Sequence, residues 1–255
     1  MSNVHLVGGL DIAELTFYLF FLFFLGLVWY LNRESRREGY PLEHDITGEV
    51  GHDIDRLDFS EKKTFQLPHG LGTVTVPKAG DRDAMPTNVW PRAYAGTPLD
   101  VKGDLLSSGV GPGSYAPRAD RPDLDMFGRP RIVPMAIAEH VTVVAQDTDP
   151  RGLPVTGLDG VVAGTVRDLW VDRAEHVIRY LDVALNEGGT ATLPMPMVKV
   201  SRGQVVTDAV TGAQFANCPQ LASAVQITLL EEEKVSAYFG AGYLWATPQR
   251  SEPLV

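Results

Sequence analysis

One stretch of this 255-residue chain places an arginine where only a carboxylate could stabilise it. In Val177–Leu185, residues 177, 179, 181, 183 and 185 share one face of a strand and read Val, Arg, Leu, Val, Leu. Arg179 is the odd member of an apolar row, and an unpaired buried guanidinium is costly. Asp172 and Glu175, at the turn Arg173-Ala174-Glu175-His176, are the nearest partners in sequence. Two kinds of chemistry are open to this group. It can be a structural ion pair that fixes the turn. Alternatively, carboxylates partly desolvated against a partner take raised pKa values and exchange protons. Asp123, Asp125 and the run Glu231, Glu232, Glu233 join the cluster if the fold brings them near. Otherwise they are a solvated acidic surface, with the glutamates at the favourable first turn of a helix.

Other chemistry finds no residues to carry it. The chain has no Walker loop, no GxSxG elbow and no GxGxxG fingerprint. The glycines of GVGPG, Gly109 to Gly113, lack a preceding strand and the right spacing, so they read as a loop. Its six histidines, His5, His44, His52, His69, His140 and His176, form no pair with metal-ligand spacing. Cys218, the single cysteine, has no CxxC partner. No metal site is expected within the chain. A net charge of −10, with the acidic excess downstream, argues against nucleic acid, whose phosphates would be repelled. One cysteine also excludes an intrachain disulfide and suits a reducing compartment.

The elements that must position these carboxylates begin with an oily one. Ile12 to Leu31 reads IAELTFYLFFLFFLGLVWYL, about 20 residues or roughly 30 Å of helix, which matches the bilayer's hydrocarbon thickness. Glu14 and Thr16 sit in its first turns, and Trp29 and Tyr30 at its far end, where amphipathic rings favour the interface. A cleaved signal peptide is disfavoured, because no basic residue precedes the run and no small-x-small site follows it. Residues 1–11 lack Lys and Arg, whereas Arg33, Arg36 and Arg37 follow the span. The positive-inside rule then expects a periplasmic tail over 1–11, a transmembrane helix over 12–32 and a cytoplasmic body.

Residues 33–130 read as an extended surface segment. Within it, Thr64 to Pro77 reads as a short β-hairpin around His-Gly-Leu-Gly. Residues 78–130 are crowded with Pro, Gly, Asp and Ser, and are either disordered or laid on a partner. From Arg131 the pattern turns to short strands: Val161 to Val166, Leu169 to Asp172 and Val177 to Leu185, then a turn at Asn186 to Gly189, then TATLPMPMVKV and QVVTDAV. That spacing predicts a small, bent antiparallel barrel over 131–255. A terminal helix follows in ITLLEEEKVSAYFGAGYLW, with Leu229, Leu230, Val235 and Tyr238 on one face and Gly240 and Gly242 marking its end. The fold class expected is therefore one N-terminal transmembrane helix plus a mainly β cytoplasmic domain with a short C-terminal helix.

These motifs carry a resemblance. RREGYPLE after the span, KTFQLPHGLGTVTVP, RIVPMAIA, DPRGLPVTGLDGVVAGTVRDLWVDRAEHVIRYLDV, LPMPMVKV and TLLEEEKVSAYFGAGYLWATP, in that order, closely resemble the H subunits of purple-bacterial photosynthetic reaction centres. The later block resembles the PRC-barrel domain. The resemblance implies a subunit without turnover of its own in the bacterial inner (chromatophore) membrane. It would cap the cytoplasmic faces of the L and M subunits and help conduct protons to the secondary quinone. Bacteriochlorophyll, bacteriopheophytin, carotenoid, quinones and non-haem iron would be held by L and M, and antenna subunits would lie close by. It implies that Asp172, Glu175 and Arg179 belong to the charged barrel cluster facing the quinone side. By the same token Asp125, with Asp123 nearby, marks where protons enter, and Glu232 is an acidic position of the terminal helix. Arg33, Arg37 and Tyr40 become contacts to anionic lipid. One departure is plain: some members have two histidines shortly after that aspartate, whereas Phe127 and Arg129 stand here, and neither exchanges a proton near neutral pH. A membrane-tethered barrel adaptor and a single-span enzyme are the competing readings.

Overall fold

The structure, a computed structural model, describes residues 5–7, 10–37, 44, 47, 62–76, 86–91, 94 and 96–251. It falls into two compact units, Met1–Ala84 with Tyr94–Gly96, and Met85–Ala93 with Thr97–Val255.

The first unit opens with two short antiparallel strands, β1 (His5–Val7) and β2 (Leu10–Asp11), and runs directly into α1 (Ile12–Ser35). Asp11 caps α1, its side chain accepting from the Glu14 N–H at 2.8 Å. The Thr16 hydroxyl bonds the Ile12 carbonyl at 2.8 Å, so this polar side chain is satisfied within the helix. No residue of α1 is buried. Its apolar side chains point all round, as a helix solvated by lipid requires. Among the described residues α1 is the helix long and apolar enough to cross a membrane. β3 (Lys63–Gln66) and β4 (Thr73–Val76) form an antiparallel hairpin in the same unit, with Thr64 and Thr75 sharing a cross-strand hydrogen bond of 2.8 Å.

The second unit is built on a seven-stranded sheet. Its strands are β5 (Ile132–Pro134), β6 (Pro154–Thr156), β7 (Val162–Asp172), β8 (Val177–Leu185), β9 (Thr190–Pro194), β10 (Lys199–Val200) and β11 (Val205–Val206). They run in the order β10-β11-β6-β7-β8-β9, with β5 added on β7. Every pairing is antiparallel except β11 with β6, which is parallel. Val155, Val166, Leu169, Val171, Leu181, Val183, Leu193 and Val205 fill the interior, each 2% exposed or less. α2 (Leu229–Trp245) adds Val235, Tyr238 and Phe239 to that core.

Three differences from the sequence reading have physical causes. The two strands expected at 161–166 and 169–172 are one strand, β7, carrying a bulge at Arg167 between Val166↔Val183 and Asp168↔Asp182. Gly240 and Gly242 do not end α2, which continues to Trp245. Gly242 is needed inside the helix: a Cβ there would lie 2.2 Å from the Ala209 carbonyl oxygen, so glycine permits the close approach. Finally, the Pro- and Gly-rich segment is laid on its own chain over residues 97–130. Val101, Leu106 and Val110 are buried, and the 3-10 turn Gly111–Gly113 lies against α2 through Ala241 and Trp245. The second compact unit therefore starts well before residue 131. A segment too polar to build a core of its own is ordered here by a helix that supplies one.

Candidate functional site: a charge network at the end of the barrel

β5 runs antiparallel to β7 with Ile132 opposite Asp172, which brings Arg131 to the β7–β8 turn. Two backbone bonds hold it there, from the Arg131 N–H to the Asp123 carbonyl at 2.8 Å and from the Arg173 N–H to the Arg131 carbonyl at 3.0 Å. The Arg131 guanidinium reaches three carboxylates. Nε lies 2.8 Å from Asp172 Oδ2, Nη1 lies 3.3 Å from Asp123 Oδ2, and Nη2 pairs closely with Glu175 Oε1. Arg179 Nη2 stands 3.6 Å from both Asp172 and Glu175. Asp123, Asp172, Glu175 and Arg179 are thus one network, and Arg131, which the sequence reading passed over, is its hub.

Asp172 is fully buried, and its second oxygen accepts the N–H groups of Ala174 and Glu175 at 2.9 and 3.0 Å. Burial pushes its pKa up, but the Arg131 guanidinium and the two backbone donors outweigh it and hold the carboxyl below the usual range. The turn it organises places His176 at φ +57°, a backbone that few side chains adopt readily. Arg179 is not on a buried row. Trp170 pairs with Tyr180 and Val171 with Ile178, so Arg179 is the extra residue of a bulge, and its side chain is 44% exposed. The bulge breaks the period-of-two alternation that assigned it to the apolar face.

Asp125 stands apart from the hub. Its Oδ1 accepts the N–H groups of Phe127 and Arg129, both at 2.9 Å, and its Oδ2 pairs with the Arg129 guanidinium at 2.9 Å. The backbone bond from Arg129 is the largest influence on its pKa, which lies below the usual range despite the cost of burial. The loop so fixed presents Met126 and Phe127 to solvent, with Arg129 stacked 5.1 Å over the Phe127 ring.

The three consecutive glutamates of α2 do three different things. Glu231 closes a capping box with Thr228, accepting from the Thr228 N–H at 2.8 Å while its own N–H bonds the Thr228 hydroxyl at 3.1 Å. Glu233 faces Arg118 at 3.4 Å. Glu232 is half-buried and accepts the Tyr180 hydroxyl at 2.9 Å. Burial raises its pKa; Tyr180, Arg179 and Arg118 pull the other way without cancelling it, and the Asp123 charge adds to the rise. Among these carboxylates Asp125 and Asp172 are held below their usual range, whereas Glu232 is moved above its own.

At the other end of the chain, Arg37 makes a bidentate pair with Glu34 at 2.8 and 2.9 Å, and Arg33 lies 5.8 Å over the Trp29 ring. Tyr40 lies outside the described residues.

Two family models match the chain. The PRC-barrel domain covers residues 142–214, which spans β6 through β11. The model for the N-terminal region of the photosynthetic reaction centre H-chain covers residues 4–137, more than half of the sequence. The chain belongs to the reaction-centre H-chain family. It is a membrane-anchored subunit of a photosynthetic reaction centre, with α1 as its anchor and a PRC-barrel as its body.

Proposed function

We propose that this subunit caps the cytoplasmic faces of the L and M subunits and delivers protons towards the secondary quinone, without catalytic turnover of its own. The observation that carries this reading is Glu232. It is a half-buried carboxyl with a raised pKa, and it feels the charges of Asp123 and Arg179, both members of the Arg131 network. A carboxyl poised to take up a proton beside a set of guanidinium-held carboxylates is what a relay needs, provided each step is within hydrogen-bond or single-water reach. The quinone, when it gains electrons, supplies the demand for protons. Asp172 and Asp125, held anionic, are suited to tuning the potential along the route, whereas Glu232 and the exposed Glu175 are suited to carrying the proton.

In this reading bacteriochlorophyll, bacteriopheophytin, carotenoid, quinones and non-haem iron belong to L and M. The three arginines after the span support a body in the cytoplasm and a short N-terminal tail in the periplasm. Arg33, Arg37 and Tyr40 would meet anionic headgroups of the inner membrane, with antenna subunits around the anchor.

The test is flash kinetics on the purified complex. In the Glu175→Gln/Glu232→Gln double variant, proton uptake and the proton-coupled second electron transfer should slow at least tenfold at pH 8. Wild-type kinetics from pH 6 to 9 would remove proton delivery from these residues. Chain that purifies without pigment from a pigmented host would count against the L and M cap.

A further inference from the structure

Tyr180 is 6% exposed and belongs to the barrel core, where a phenylalanine ring would serve packing equally well. Its hydroxyl adds a bond across the molecule, donating to Glu232 Oε2 at 2.9 Å and joining β8 to the first turns of α2 over 52 positions of sequence. Ser236, one turn further along α2, lies near the same hydroxyl and acts against the rise in its pKa. The phenol therefore stands between a serine and a carboxylate. Facing Glu232 are Tyr180 and Arg179 from β8, Arg118 from the segment laid on α2, and Asp123 from the loop before β5. Among the described residues neither arginine comes within ion-pair distance, and the Tyr180 hydroxyl is the donor that touches the carboxylate.

We propose that Tyr180 is a positioning residue, whose hydroxyl fixes the Glu232 carboxylate against the barrel and favours its anionic form until a proton reaches it. Burial and the neighbouring Glu232 charge push the phenol's own pKa up, so it stays protonated and acts as a hydrogen-bond donor only. This role in proton delivery rests on the function proposed above; the link between the two side chains does not.

The experiment is infrared difference spectroscopy on the intact complex, following the Glu232 carboxyl band, identified by its loss in Glu232→Gln. Tyr180→Phe removes a charge-assisted hydrogen bond to the anion, so the band should titrate at higher pH than in wild type. Fluorotyrosine at position 180, a stronger donor, should move it to lower pH and keeps the test open if the phenylalanine variant assembles poorly. Identical titration in wild type and both variants would overturn the proposal. If the band moves as expected and Glu232→Gln leaves electron-transfer kinetics unchanged, the Tyr180 link stands and proton delivery through Glu232 falls. If Glu232→Gln slows transfer while the Tyr180 variants leave the band unmoved, delivery stands and the positioning role falls.

Discussion

Asp172 and Glu232 belong to the same unit and both lose solvent on folding, yet their pKa values move in opposite directions. Asp172 is at 0% exposure, and desolvation alone would raise its pKa as it does that of Glu232. It has instead a guanidinium at 2.8 Å and two backbone N–H groups on its other oxygen. Glu232 has a single neutral donor, and the nearest arginines act on it only from beyond ion-pair distance. Burial by itself does not choose the proton carrier here; the number and charge of the donors decide whether its effect survives. At a buried carboxylate such as Asp172 a charged donor at contact locks one state, whereas a neutral donor leaves a half-buried one free to change.

The largest break in that comparison is Arg131→Met, which keeps the bulk of the side chain and removes its charge. Asp172 would be left buried with Arg179 at 3.6 Å as its remaining cation. We expect a loss of roughly 3 kcal/mol, the low end for breaking a buried pair because Arg179 remains. Chemical denaturation of the detergent-solubilised chain measures it, and a loss below about 1 kcal/mol would mean that Asp172 does not depend on Arg131. Asp172→Asn should cost somewhat less, roughly 2 kcal/mol at neutral pH, because the amide oxygen can still accept the Ala174 and Glu175 N–H groups. It carries a pH signature as well. A carboxyl whose folded pKa lies below its ordinary 3.8 stabilises the fold above that value and stops doing so as the pH falls through the folded pKa. The acid limb of the stability curve should therefore be shallower in the variant than in wild type.

The Glu232 side of the comparison rests on the start of α2. Thr228 is the N-cap, and its hydroxyl also donates to Asp120 at 2.9 Å. Thr228→Ala should cost about 1 kcal/mol and fray the turn that carries Glu232. The same infrared band used for Tyr180 should then broaden and move towards that of a solvated carboxyl. An unchanged band in a destabilised protein would show that Tyr180 alone sets the Glu232 environment.

The sequence made the anchor legible because about twenty apolar residues in a row have one stable solution in lipid. It made the barrel legible through strand-length apolar runs and the turns between them. It misled at the bulges. A single extra residue inverts the alternation, so Arg179 was assigned to a buried face that it does not occupy, and β7 was cut in two at Arg167. Contacts distant in sequence were out of reach altogether. Arg131 meets Glu175 across 44 positions and Tyr180 meets Glu232 across 52, and nothing in the local pattern marks either pair. A cue for Arg131 was available nonetheless: it is the cation immediately preceding a strand that follows two aspartates. Gly242 carried the wrong cue, because close packing on Ala209 and helix termination call for the same residue.

Glu232→Gln gives the smallest effect and the most discriminating one, because its sign is opposite to that of Asp172→Asn. A carboxyl whose folded pKa is raised above its ordinary 4.5 binds its proton more tightly in the folded state than in the unfolded one. Stability then falls as the pH rises from that ordinary value to the folded pKa, and stays lowered above it. The neutral amide has no such loss. Glutamine can still accept the Tyr180 hydroxyl, so the variant should match wild type below pH about 4 and exceed it at neutral pH. The gain should be on the order of 0.5 kcal/mol, since the site is only half-buried and solvent screens it. Denaturation midpoints of the two proteins across this range should diverge as the pH rises. Curves that stay parallel would mean that Glu232 folds as an ordinary solvated carboxylate, and the contrast with Asp172 would reduce to a single locked aspartate.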